Sequence, residues 1–315
     1  VGLLVLVIAV NVMTGGSFAT PTNITNVLRQ ITYNTILAVG QTFVIITAGI
    51  DLSVGSIVAL SGVVMALFAN AMPFGGLALI VATLIVGIAV GAAAGFVNSV
   101  PVVKLNLPPF ITTLAMLQIA RGLAYKIAHG RPIPVNSDAF NGMGIGYVGS
   151  GLLAPLGLPG IPVAVLWMVA IVIVFAILLG RTRFGRYVYA LGGNEEAARL
   201  AGVNVARVKT LVYVLSGSCA AVAGLLLMAR FASGSPQTGE GFELNSIAAA
   251  VVGGTSLMGG RGLIAGTFVG ALLIGVLNNV MNLLNIESYT QEIVLGGVIL
   301  LAVILDELRK RYLAR

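Results

Sequence analysis

The chain has 315 residues, of which 58% are hydrophobic and only 9% charged, with a mean hydropathy of +1.05. Soluble globular proteins carry about 25% charged residues, so this composition excludes a water-soluble fold and makes lipid the solvent. The net charge of +7 then carries topology information and does not point to nucleic acid.

Two long stretches, Leu52–Val103 and Ala139–Gly180, contain no Asp, Glu, Lys or Arg. Continuous apolar runs without strict alternation predict helices and not barrel strands. In chain order the candidate spans are Val1–Met13, Tyr33–Ile50, Ser53–Ala69, Leu77–Ser99 and Pro108–Ala128. Ile161–Gly180, Val208–Phe231, Leu244–Leu257, Leu263–Leu284 and Tyr289–Leu305 follow. The second, third and eighth are short and read as broken or half helices lining a cavity. The chain starts at Val1 inside an apolar run without a Met, so further N-terminal residues are expected and no signal peptide is assigned. The expectation is an all-α polytopic membrane protein of about ten transmembrane or half-spanning helices, forming a single transmembrane domain over 1–315.

Basic residues set the orientation. Arg181, Arg183, Arg186, Arg199, Arg207 and Lys209 crowd one connection, and Arg309, Lys310, Arg311 and Arg315 crowd the C-terminus. The Gly/Pro-rich loop from His129 to Gly160 carries only Arg131 and Asp138. The positive-inside rule places the 181–209 connection and the C-terminus in the cytoplasm and the 129–160 loop outside.

A faint internal repeat accompanies this pattern. Gly49–Gly55 parallels Gly254–Gly260, and Gly95–Val100 parallels Gly275–Val280. Duplicated halves with Gly-interrupted segments point to a transport path between them.

Candidate functional residues fall into two groups. Asp51, in Gly49-Ile50-Asp51-Leu52-Ser53-Val54-Gly55, is a carboxylate between apolar runs, which is costly in a membrane and a default functional residue. It also reads as a helix cap, with Ser53 and Ser56 beside it to satisfy freed backbone groups. With Gln41, Ser53, Asn98, Asn278 and Asn279 it forms a candidate translocation path. Amides and hydroxyls suit a neutral polyhydroxylated solute, although each one singly also serves as a helix–helix hydrogen bond. The single Cys219 and single His129 support neither a disulfide nor a zinc site, so no metal or cofactor is expected.

The second group is Asn194-Glu195-Glu196-Ala197-Ala198-Arg199-Leu200-Ala201-Gly202. Asn194 is a good N-cap, Glu195 and Glu196 suit the dipole's positive end, Arg199 lies four residues after Glu195, and Gly202 is a natural stop. This is a two-turn helix with Ala197, Leu200 and Val203 beside charges, either a solvated connector or a docking element. A Gly-x-x-x-x-Gly-Lys-Ser/Thr phosphate loop does not occur in the sequence, so ATP hydrolysis is not assigned to it. Gly142, Gly144 and Gly146 lack the strand–turn–helix setting of a dinucleotide site.

Gly49–Ser56 resembles the signature near the second span of ribose-type monosaccharide ABC transporter permeases. Gly185–Gly202 is similar to their cytoplasmic coupling segment, Ile247–Gly262 to a third block and Gly275–Leu284 to a fourth. The similarity runs from about Phe18 to the C-terminus, whereas the 129–160 loop matches no motif. The resemblance implies a bacterial inner-membrane permease that works as a homo- or heterodimer, with cytoplasmic ATP-binding subunits and a periplasmic sugar-binding protein as partners. It implies that Asn194, Glu195, Glu196, Ala197, Arg199, Leu200 and Gly202 couple to the ATPase, and that Asp51 and Ser53 lie in the core. The expected activity is monosaccharide import by alternating access, with no chemistry on the solute. An ion-coupled secondary carrier is the alternative from another class; a passive channel or a membrane scaffold is a weaker one.

Overall fold

The computed structural model describes residues 10–135, 137–153 and 159–313; the side chains of Arg309, Lys310 and Arg311, and all of Arg315, lie outside the description, as does most of the first candidate span. The long helices are α1 (Pro21–Ile46), α2 (Val54–Ala71), α3 (Gly76–Lys104), α4 (Pro109–Ile127) and α5 (Val163–Arg181). Two shorter helices follow, α6 (Arg183–Gly193) and α7 (Glu195–Leu200). The chain then returns through α8 (Val205–Phe231), the short α9 (Phe242–Val252), α10 (Ile264–Leu283) and α11 (Ser288–Leu313). Five of these helices (α2, α3, α5, α8 and α10) are long and apolar enough to cross a membrane by length and composition.

The expectation that the second span is short is corrected. α1 has 26 residues and begins at Pro21, whose missing N–H costs nothing at a first helical position. Its first half is rich in Thr and Asn, which hid it from a hydropathy reading. Those residues are used inside the bundle: Asn23 and Asn279 exchange amide hydrogen bonds at 2.9 and 2.8 Å, and Thr42 and Thr267 hydroxyls meet at 2.7 Å. From Ile31 to Ile46 α1 is buried at all but one position, Asn34, and forms the centre of the bundle. By contrast, α5 exposes Val169, Ile173, Val174 and Ile177, as a helix does that turns much of its surface to lipid.

Helices in lipid gain no hydrophobic driving force from meeting each other, so packing rests on small residues that let backbones close. A methyl group on Gly91 would strike the Gly217 carbonyl, one on Gly217 the Gly91 carbonyl, and one on Gly95 the Tyr213 carbonyl. This glycine seam makes α3 and α8 the most intimately packed pair. α9 and α10 close similarly, with Gly270 against the Ala249 carbonyl and Gly253 against Gly266.

The halves are related by helix order. α3 runs along α8 as α10 runs along α1, and α2 meets α3 as α9 meets α10. Gly95 abuts Tyr213 on α8 and Gly275 abuts Ile31 on α1, so the Gly95–Val100 and Gly275–Val280 segments occupy equivalent places. The other sequence pairing does not. Gly49–Gly55 joins α1 to α2, whereas Gly254–Gly260 joins α9 to α10. Any sharp break between helices calls for glycine, so short glycine-rich strings match without being equivalent.

The described residues of the 129–160 loop hold more regular structure than its sequence suggests. Strand β1 (Ile133–Pro134) pairs antiparallel with β4 (Ser233–Gly234), and β2 (Tyr147–Val148) with β3 (Ile161–Pro162). Phe140 and Met143 are buried in the main core, and a methyl on Gly144 would strike the Ala229 carbonyl near the end of α8. Two-residue strands and one-turn helices have no periodicity to read.

Replacing Gly91 with Ala is expected to destabilise the bundle by about 1–3 kcal/mol through forced separation of α3 and α8. Gly122→Ala, on an open face of α4, is expected to be neutral or stabilising by about 0.5–1 kcal/mol. Thermal unfolding of the two variants in the same detergent gives the comparison; equal melting temperatures would refute the seam.

Candidate functional site

At the end of α1 the helix stops in a tight reversal. Ala48 takes a left-handed conformation (φ 57°), Gly49 N–H donates to the Val44 carbonyl at 3.0 Å, and the Thr47 hydroxyl donates to the same carbonyl at 2.8 Å. A break inside a membrane bundle frees backbone groups that lipid cannot satisfy, and side chains from three helices take them up. Thr113 of α4 donates to the Ile50 carbonyl at 3.1 Å, Gln41 of α1 to the Asp51 carbonyl at 2.7 Å, and Ser56 of α2 to the Ser53 carbonyl at 2.8 Å.

Asp51 sits at the centre of this break, fully buried. Its Oδ1 accepts from the Ser53 N–H at 3.0 Å and the Ser53 hydroxyl at 2.6 Å, and its Oδ2 accepts from the Ser216 hydroxyl of α8 at 2.8 Å. Asn98 of α3 donates to the Ser53 hydroxyl at 2.8 Å. Asp51 does accept a backbone N–H, but from Ser53, which is itself the residue flanking α2, so the expected side-chain cap on the first turn of α2 is not made. The Asp51 carboxylate joins the start of α2 to α8, while its backbone carbonyl accepts from Gln41 of α1 and Ser53 accepts from Asn98 of α3, so the network links all four helices. Gln41 Oε1 and Asn98 Oδ1 remain buried without a hydrogen-bond partner among the described residues.

Of the six path residues expected from sequence, Gln41, Asp51, Ser53 and Asn98 meet in this one network. Asn279 is taken up by Asn23 across the α1–α10 contact. Asn278, on the next position of α10, faces a separate cavity. Ser216 was missed. The only signal was one of two serine hydroxyls, Ser216 and Ser218, in the apolar run Tyr213–Met228, and its partner lies 165 residues away.

The second group forms as its caps dictate. The Asn194 side chain accepts from the Ala197 N–H at 2.9 Å, Glu195 and Glu196 occupy the first turn, and Gly202 ends the segment with φ 84°. Glu195 pairs with Arg199 at 3.2 Å, an exposed pair worth about 0.3–0.5 kcal/mol. It also pairs with Lys209 of α8 at 2.7 Å, where the lysine is only 19% exposed. The α7 helix is thus fastened to α8. Ala198 is buried against its own segment, while Glu196 and Ala197 face out and Leu200 is 84% exposed.

This connection reaches the Asp51 break. A cavity of about 310 Å³ is lined by Glu195 and Lys209 on one side and by Thr47, Gly49 and Tyr213 on the other. Gly192 lies against the Ile46 carbonyl, which accepts the Gly260 N–H at 2.9 Å. Tyr189 of α6 donates to the Gly262 carbonyl at 2.7 Å, and burial raises its phenol above the ordinary tyrosine range. The end of α1, the α9–α10 turn and the α6–α7 connection therefore form one joint. Among the described residues no group of three or more His, Cys, Asp and Glu side chains could hold a metal ion.

A family model described as the branched-chain amino acid transport system permease component matches residues 23–303. The chain belongs to that permease family. The ribose import permease protein of Escherichia coli (strain K12) is 45% identical over 97% of this chain and 92% of its own. The ribose import permease protein of Bacillus subtilis (strain 168) is also 45% identical, over 97% and 90%. The L-arabinose transport system permease protein of E. coli is 40% identical over 94% and 85%. No solved structure matches the chain. The permease is a multi-pass inner-membrane transport component and not an enzyme; ATP hydrolysis belongs to a separate ATPase subunit.

Asp51→Ala is expected to destabilise the permease by about 3–5 kcal/mol, because the Ser53 N–H and hydroxyl and the Ser216 hydroxyl are left without their buried acceptor, at about 1–3 kcal/mol each. Ser216→Ala should cost about 1.5–3 kcal/mol, and the double variant less than the sum, since both act on one network. Unfolding of the three variants forms the test; strict additivity would count against a shared network.

Proposed function

We propose that this permease carries a monosaccharide inward by alternating access, as one member of a permease dimer driven by cytoplasmic ATPase subunits. The observation that carries this reading is similarity over nearly the full chain to permeases named for ribose, L-arabinose and D-allose, all of them sugars, although the family description names amino acids. The dimer is of identical or of different permease chains, and a periplasmic binding protein delivers the sugar.

In this reading the chain is a single transmembrane domain over 1–315, with the 181–209 connection and the C-terminus in the cytoplasm and the 129–160 loop outside. The basic residues of that connection support the orientation. Asn194, Glu195, Glu196, Ala197, Arg199, Leu200 and Gly202 form the ATPase contact. Leu200 is its apolar tip, held out on a helix capped by Asn194 and fastened at its first residue by the Glu195–Lys209 pair. Exposing a large apolar side chain on a short, fastened helix suits a partner surface better than a solvated connector.

The translocation path passes Gln41, Asp51, Ser53 and Asn98 near the cytoplasmic joint, and Asn278 and Asn279 in the opposite half. When the ATPase closes, it pulls α7, and the joint at Ile46, Gly192 and Gly260 passes the motion to the α1–α2 break. The ATPase drives the change only by binding the two permease states unequally.

Both Asp51 oxygens are occupied by hydroxyl and amide donors inside the protein. A carboxylate that couples a cation must bind and release it, so this arrangement favours the ATP-driven reading over an ion-coupled carrier.

Purification from membranes of the native chain coexpressed with its ATPase is expected to recover ATP hydrolysis with the permease. The Glu196→Lys/Leu200→Asp double variant should insert normally yet lose most of that activity. A double variant that retains the ATPase, or sugar uptake that survives ATP depletion but collapses with the ion gradient, would reject the proposal.

A further inference from the structure

α1, α8, α9 and α10 enclose another cavity, of about 230 Å³, at the end of the bundle away from the α6–α7 connection. That is below the about 300–1,000 Å³ of pockets for drug-sized ligands and well above the about 30 Å³ share of one water. It is sized for a small solute.

Its lining is specific. Four amides line it from three helices: Gln30 and Asn34 of α1, Asn245 of α9 and Asn278 of α10. Asn34 Oδ1 and Asn245 Oδ1 are buried with no hydrogen-bond partner among the described residues. A buried acceptor without a partner is costly and is a sign of a missing ligand or water. The walls are aromatic, with Phe242 on one side and the buried Tyr33 on another. The Arg230 guanidinium lies 5.7 Å from the centre of the Tyr33 ring and 5.6 Å from that of Phe231.

The chemistry selects among solutes. An amide offers a donor and an acceptor, as each sugar hydroxyl does, and a guanidinium adds donors. Aromatic faces cover the C–H side of a ring. None of the lining residues is acidic, so the ammonium of an amino acid would be buried without a counter-charge. A neutral sugar has no charge to match.

We propose that this cavity is a monosaccharide subsite built within a single permease chain, a waiting position on the side where solute enters, before the Asp51 joint. Asn34 and Gln41 lie on one helix, about 10 Å apart along α1, so the subsite and the joint share a rigid element. The inference rests on the sugar-permease reading and adds to it a place and a set of residues.

The test uses the complete importer, with its ATPase and binding protein, in proteoliposomes loaded with ATP. Uptake of labelled D-ribose, L-arabinose, D-allose and L-leucine is measured for the native chain and for Asn245→Leu and Asn278→Leu. The expected result is native uptake of at least one sugar and not of leucine, falling about tenfold in each variant, the equivalent of about 1.4 kcal/mol, while ATPase assembly stays native. A folding-independent measurement accompanies it. Asn278→Cys is made in the native background, where the single Cys219 is buried, and its reaction with a small maleimide is followed with and without the transported sugar. Sugar should slow the labelling several-fold. Native sugar uptake with unchanged uptake in both leucine variants, or with labelling indifferent to sugar, overturns the subsite and leaves the sugar reading standing. Native uptake of leucine but of no sugar overturns both.

Discussion

The buried Asp51 carboxylate is the constraint around which the bundle is arranged. A carboxyl group buried in a bundle needs hydrogen bonds from several directions at once, and Asp51 receives them from Ser53 on its own segment and from Ser216 on α8. Meeting that demand fixes the start of α2 and the height at which α8 passes. Through Asn98 it also fixes the register of α3. The break that carries Asp51 is affordable only because Thr113, Gln41 and Ser56 satisfy the carbonyls it frees.

Around this polar centre, packing relies on the absence of side chains. The Gly91, Gly95 and Gly217 seam lets α3 and α8 meet backbone to backbone, and Gly253, Gly266 and Gly270 do the same for α9 and α10. Dispersion contacts at that range replace the hydrophobic driving force that lipid does not supply. Between the seams, paired polar groups such as Asn23 with Asn279 and Thr42 with Thr267 set the registry of α1 against α10.

Function follows from what α1 connects. Its middle carries Tyr33 and Asn34 at one cavity, its second half carries Gln41 at the Asp51 network, and its end carries Ile46 at the joint with Gly192 and Gly260. Glu195, held by Lys209, borders the cavity that reaches Gly49 and Tyr213. The α7 connection therefore meets the break of the bundle through short, packed contacts. Such contacts move between discrete arrangements and do not deform smoothly.

The sequence by itself determined the solvent, the helical class, the order of nine candidate spans that fall within the described residues, and the capped α7 helix. All of these depend on local patterns: apolar runs long enough to span, and a cap, acid pair and stop glycine within nine residues. It misjudged α1, because Thr and Asn buried in a bundle look the same in sequence as Thr and Asn in a loop. It matched two glycine strings that turned out not to be equivalent, because glycine marks any break. Only the tertiary structure decided that Ser216 completes the Asp51 network, that Asn278 and Asn279 separate into a cavity and a helix contact, and that Lys209 anchors Glu195. Those relations join residues brought together by the crossing of helices distant in the chain, and the one-dimensional spacing of residues carries no record of which helix will lie beside which.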